Sequence, residues 1–121
     1  GIKMQIIPFK EPAQWREQIQ LDGTLYFLGF KWNALNEFWV MDIYNSDEDP
    51  LVLGVKIVPN IPLLGQYVVD GLPLGDIICQ NIVEGYDIIR RFDMTQKFEL
   101  IYWGEGELEA LGISLDLENA V

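Results

Sequence analysis

The chain has 121 residues, 8 Lys and Arg against 19 Asp and Glu, no histidine and one cysteine, for a formal charge of −11 and a sequence pI of about 4.1. This length fits one domain, and a 50% hydrophobic content argues against disorder. The acidity speaks against binding nucleic acid or an anionic membrane surface, and the missing histidines remove the usual general base and commonest metal ligand.

Side chains that alternate with period two predict strands along most of the chain. Met4 to Pro8 is a short apolar strand. Trp15, Ile19 and Leu21 share one face while Arg16, Gln18 and Gln20 take the other, and Asp22-Gly23 is a two-residue hairpin turn. Thr24 to Trp32 runs back, with Tyr26, Leu28, Phe30 and Trp32 on one face and Leu25 and Phe27 on the other. Asn33 to Glu37 is a polar loop, and Phe38 to Tyr44, dense in aromatic and β-branched residues, is the next strand. Asn45 to Pro50 is a turn, and Leu51 to Val58 is a further strand with a bulge expected at Gly54. Residues 14–58 thus read as a four-stranded antiparallel meander. Leu63 to Tyr67 is expected to form one helical turn. Asp76 to Gln80, Tyr86 to Arg90 and Lys97 to Trp103 are expected as strands, the last most clearly. The predicted fold is all-β, a small antiparallel sandwich or partly open barrel over residues 1–103.

Residues 104–121 form an acidic extension, with Glu105, Glu107, Glu109, Asp116 and Glu118 and no base. Leu111, Ile113, Leu115 and Leu117 alternate there with Gly112, Ser114, Asp116 and Glu118. A merely solvated tail would not keep that pattern, so a strand that pairs with its own sheet or with a neighbour's is expected, a partner being favoured. No signal peptide is expected at the N-terminus. The uncharged run from Ile57 to Val69 is interrupted by Pro59 and Pro62 and falls short of the roughly 20 residues of a membrane span.

Chemical motifs are sparse. Asp47-Glu48-Asp49 lacks the spacing of a calcium loop and reads as a solvated turn. Gly71 to Gly75 contains no lysine and is not a phosphate loop. Cys79, among isoleucines and without a histidine, reads as a core thiol. Asp42 lies in an apolar strand with Phe38, Val40 and Tyr44 on its face, so it is the single candidate for an unusual carboxylate. Arg90-Arg91 is a basic pair that could anchor an acidic partner. No catalytic residue, cofactor or metal ligand is assigned. Trp15, Trp39 and Trp103 are the candidate interface anchors, Trp39 and Trp103 being taken to lie opposite the core faces Phe38/Val40 and Phe98/Leu100/Tyr102. An alternative uses Trp39, Tyr44 and Trp103 as a stacking platform in a small ligand- or carbohydrate-binding barrel.

The order of several short motifs adds to this. Met4-Gln5-Ile6-Ile7-Pro8, Leu21-Asp22-Gly23, Phe38 to Tyr44, Pro50 to Gly54, Val58-Pro59, Leu63 to Tyr67 and Gly71-Leu72 follow one another as in small tail proteins of contractile-tailed bacteriophages. Over roughly residues 4–103 the chain resembles the cyanophage-type baseplate plug proteins. That resemblance implies a β-rich structural protein of the virion baseplate, made in the host cytoplasm and present in several copies. It implies contacts with hub, tube or wedge proteins and no catalytic residue. Docking is then expected through Ile6, Ile7, Leu63, Leu64 and Tyr67, the three tryptophans, and Leu111, Ile113, Leu115 and Leu117.

Overall fold

The computed structural model describes residues 4–107; the extension beyond Glu107, with its expected strand over Leu111 to Leu117, lies outside the described residues. Seven strands form two antiparallel sheets. Strands β2 (Gln14–Leu21), β3 (Thr24–Asn33), β4 (Phe38–Tyr44) and β5 (Pro50–Lys56) are the expected meander, and β1 (Met4–Ile6), β7 (Phe98–Trp103) and β6 (Asp76–Asn81) make the second sheet in the spatial order β1-β7-β6. The β2–β3 hairpin closes through Asp22 and Gly23, both at positive φ (52° and 79°), as a two-residue turn matched to strand twist requires.

Gly54 is the expected bulge. Its φ is +78° and the β4–β5 register shifts beside it. Its N–H donates to Asp42 Oδ1 at 2.7 Å, which explains the carboxylate in an apolar strand: it holds the kink. An alanine at Gly54 would meet no atom within 4 Å, so only the left-handed backbone penalises it. Gly54→Ala is expected to cost about 1 kcal/mol, read as a shift of the urea midpoint with an unchanged slope.

After Ile57, whose N–H still donates to Trp39 O, the chain crosses to the other sheet. Asn60 N–H donates to Cys79 O and Leu63 N–H to Ile77 O, so residues 59–63 lace the β6 edge in place of a regular strand, because Pro59 and Pro62 cannot donate. The helical turn expected at Leu63 to Tyr67 is reduced to one hydrogen-bonded turn, Tyr67 N–H to Leu64 O at 3.0 Å. The strand expected at Tyr86 to Arg90 is absent. That stretch belongs to a loop shaped by polar caps: Asn81 Nδ2 donates to the Val83 and Tyr86 carbonyls, and Asp93 accepts from Arg90 N–H at 3.0 Å. Side-chain caps of this kind compete with a ladder and win where no neighbouring strand is in reach.

The core lies between the sheets and includes Leu28, Phe30, Trp39, Met41 and Ile43 from the meander and Ile77, Cys79, Phe98, Leu100 and Tyr102 from the other sheet. The expected core face of β4 is therefore corrected. Trp39, Met41 and Ile43 point inward, and Phe38, Val40, Asp42 and Tyr44 form the half-exposed outer face. Both faces are apolar enough to bury, and Asp42 decides between them, since a charge without an ion partner stays toward water.

Candidate docking surfaces

The chemical candidates resolve into structural parts. Asn45 Oδ1 accepts from the N–H groups of Asp47 and Asp49, each at 2.9 Å, and Glu48 pairs with Arg16 at 3.1 Å. The acidic turn is thus ordered by its own asparagine. Among the described residues no group of three or more acidic, histidine or cysteine side chains could share a metal ion. Cys79 is buried against Met94 Sδ at 3.6 Å, and burial pushes its thiol pKa up to about 12, far from a reactive thiolate.

Trp39 is 1% exposed and sits in an aromatic cluster, with the Phe9 ring 4.8 Å and the Trp32 ring 5.5 Å away. The Arg91 guanidinium lies 5.0 Å from its ring centre and donates to Glu11 O at 2.6 Å. Half-buried Trp15 stands at the margin of the same cluster, 4.6 Å from Phe9. Beside it burial raises the Glu17 carboxyl above its usual pKa. Ile7, Leu63 and Leu64 are buried in the chain's own core, and Tyr67 is half-buried against it.

Trp103 faces away from that core. It forms a second buried group with Ile78 and Ile101, and its indole N–H donates to Gln80 Oε1 at 2.5 Å. Met4 and Ile6 stand beside it, paired to Trp103 and Ile101 on β7, and both are exposed. The outer face of the three-stranded sheet therefore carries an apolar strip at its β1 side. Trp39 lies in the core, Tyr44 on the outer face of the meander and Trp103 on the outer face of the other sheet, so the three do not form one stacking platform.

Two strand edges are open on the same side of the sandwich. Trp32 N–H bonds to Ala13 O, and with the β2–β3 register this turns the N–H and C=O groups of Gln14, Arg16, Gln18 and Gln20 away from β3. By the same logic Ile7 N–H on Leu100 O turns those of Met4 and Ile6 outward from β1. These backbone groups have no backbone partner among the described residues. An open edge of this kind is a template for another chain's strand.

A third surface combines residues that are distant in sequence, from the segment after β1, from the end of β3 and from the β6–β7 loop. Arg91 divides two clefts, one of about 300 Å³ lined by Phe9, Lys10, Arg91 and Phe92, the other of about 380 Å³ lined by Trp32, Ile88, Arg90 and Arg91. Only the Arg90-Arg91 pair signalled it in the sequence. The described residues thus present two open strand edges, an apolar strip and a pair of clefts.

Comparison with known proteins agrees. No curated protein matches the chain. The family model described as the cyanophage baseplate Pam3 plug gp18 matches residues 4–105, which spans every strand described above, and the chain belongs to this family of baseplate plug proteins.

Proposed function

We propose that this protein is a structural component of a bacteriophage tail baseplate that docks onto hub, tube or wedge proteins, in several copies per particle, and acts without catalysis. The family match over residues 4–105 carries this reading. The open edges of β1 and β2 and the exposed apolar strip of Met4 and Ile6 support it, since main-chain bonds along an edge supply affinity and alternate side chains supply specificity. The acidic surface suits a collar around a DNA conduit, because it repels phosphate. The protein would be made in the host cytoplasm and finish in the virion.

Reconstitution tests this. The full chain, mixed with purified baseplate and tail proteins of the same phage, is expected to co-sediment with hub or tube proteins. Ile6→Asp, at an exposed position, is expected to weaken that association roughly tenfold, equivalent to about 1.4 kcal/mol, without moving the thermal unfolding midpoint. Absence of any association with baseplate proteins would overturn the reading.

A further inference from the structure

The two ends of the sandwich differ in charge. The end holding the β6–β7 loop gathers Lys10, Lys31, Lys56, Arg90, Arg91 and Lys97. Lys31 and Lys56 both flank Val40 across the sheet, and Arg91 reaches Glu11 beside Lys10. Acids at this end, among them Glu11 and Glu37 on the cleft walls, balance these bases without exceeding them. The opposite end is built from the turns at Asp22, at Asp47 to Asp49 and at Asp70 to Asp76, the first and last tied together by Tyr102 on Asp22 and Gly75, with Tyr26 on Gly71. Among the described residues, Arg16 reaches this end and is engaged with Glu48.

The end that gathers the bases is also the end with unpartnered apolar surface. Phe92 is 67%, Ile88 62% and Leu35 89% exposed. Phe92 and Ile88 each line one of the two clefts that Arg91 divides, and the Arg91 guanidinium covers one face of Phe92 at 4.4 Å. Apolar residues grouped this way mark a contact surface, and cations among them select an occupant that is apolar and acidic.

The chain contains such a segment. From Leu108 to Glu118 apolar residues alternate with Glu109, Gly112, Ser114 and Asp116, with no base. The described chain reaches Glu107 at the acidic end, just past Trp103, whose strand neighbour Tyr102 bonds Asp22. The clefts lie at the far end of strands as long as the ten residues of β3, or roughly 33 Å. In its own molecule the segment would be spent on crossing that distance, whereas the clefts of a copy stacked end-on begin where the segment leaves.

We propose that copies of this chain associate head to tail, with residues 108–118 of one copy seated in the Arg90–Arg91 clefts of the next. This rests on the reading of residues 104–121 as a partner-pairing segment, and it names the partner as a second copy. The contact is heterologous, so it builds a ring if the rotation closes and a filament if it does not. Charge disfavours the symmetric alternative at the acidic end, because two acidic ends facing each other repel.

Sedimentation velocity on the full chain tests the proposal. Assembly that grows with concentration at low salt and weakens in roughly 1 M salt, where the Debye length is about 3 Å, is expected. Reversing the segment (Asp116→Lys with Glu118→Lys) or the clefts (Lys10→Glu with Arg90→Glu) is expected to weaken assembly by at least roughly tenfold, with circular dichroism showing both variants folded. A 1:1 mixture of the two variants is expected to regain heterotypic association. A chain that stays monomeric, assembly indifferent to either reversal, or a mixture that fails to recover would each overturn the proposal. A monomeric chain that still binds hub or tube proteins removes the head-to-tail contact alone and leaves the baseplate reading standing. Self-association without binding to those proteins does the reverse.

Discussion

Trp39→Ala is expected to destabilise the protein by about 4 kcal/mol, which lowers the unfolding midpoint by about 15 °C for a chain of this size. The indole is 1% exposed and joins the meander to the N-terminal segment through Phe9 at 4.8 Å and to the β6–β7 loop through Arg91 at 5.0 Å. Removing it empties a large volume between rigid strands that cannot collapse into the space, so the loss exceeds simple transfer of the ring to water. Trp39→Phe is expected to cost much less, about 1 kcal/mol, because the indole N–H has no hydrogen-bond partner among the described residues to lose. Leu35→Ala, at a residue 89% exposed, serves as the neutral control. A loss below about 1 kcal/mol for Trp39→Ala, measured by calorimetry, would mean that the aromatic cluster does not organise the core.

Asp76→Ala is expected to cost about 3 kcal/mol. Asp76 is one of two buried charged residues among those described, with Asp93. One of its oxygens accepts from the N–H groups of both Leu64 and Ile77 at 2.7 Å. Alanine leaves those donors buried and unpaired, and it frees the turn that sets Leu63 and Leu64 into the core. Hydrogen exchange is expected to rise first at Leu64 and Ile77, ahead of the meander. Protection unchanged at both amides would show that water satisfies them equally well.

The same carboxyl gives stability a pH dependence of definite sign. Burial raises the Asp76 pKa above its ordinary 3.8, and the neighbouring backbone N–H groups offset only part of that. Glu17 is raised from 4.5 for the same reason. A raised carboxyl takes up its proton in the folded chain before it does in the unfolded one. Stability therefore rises as pH falls from neutrality through the folded values, and this gain ends below the unfolded ones. Relief of repulsion in a chain of charge −11 acts in the same direction. The midpoint is expected to be higher near pH 5 than at pH 7, and the rise is expected to be smaller in Asp76→Ala. A midpoint that falls on mild acidification would contradict the burial of both groups.

Much of the fold was legible because period-two patterning and turn chemistry are local. Phe38 to Tyr44 is a strand with its bounds as read, Asp22-Gly23 closes the hairpin, and Gly54 is the bulge. The inward face of β4 was misjudged because both of its faces are apolar apart from Asp42. Tyr86 to Arg90 reads as a strand by composition, but a strand needs a neighbour, and its backbone is held by Asn81 and Asp93 instead.

Less of the candidate site was legible. Composition marked Trp15, Trp39 and Trp103 as anchors, since aromatic residues favour interfaces, but aromatic residues favour cores equally. The structure places Trp39 inside, Trp15 at the cluster margin and Trp103 over Ile78 and Ile101. Of the surface around Arg91 only the Arg90-Arg91 pair was legible, because Phe9, Trp32 and Ile88 lie far apart in the chain and meet only through packing.

By itself, then, the order of residues determined most of the strands, the hairpin connections and the acidity, all properties that a short window of chain carries. Tertiary structure alone decided which edges stay open, which aromatics are covered and how charge divides between the two ends. These depend on which distant segments come within a few ångströms, and that is set by how two twisted sheets close over a shared core.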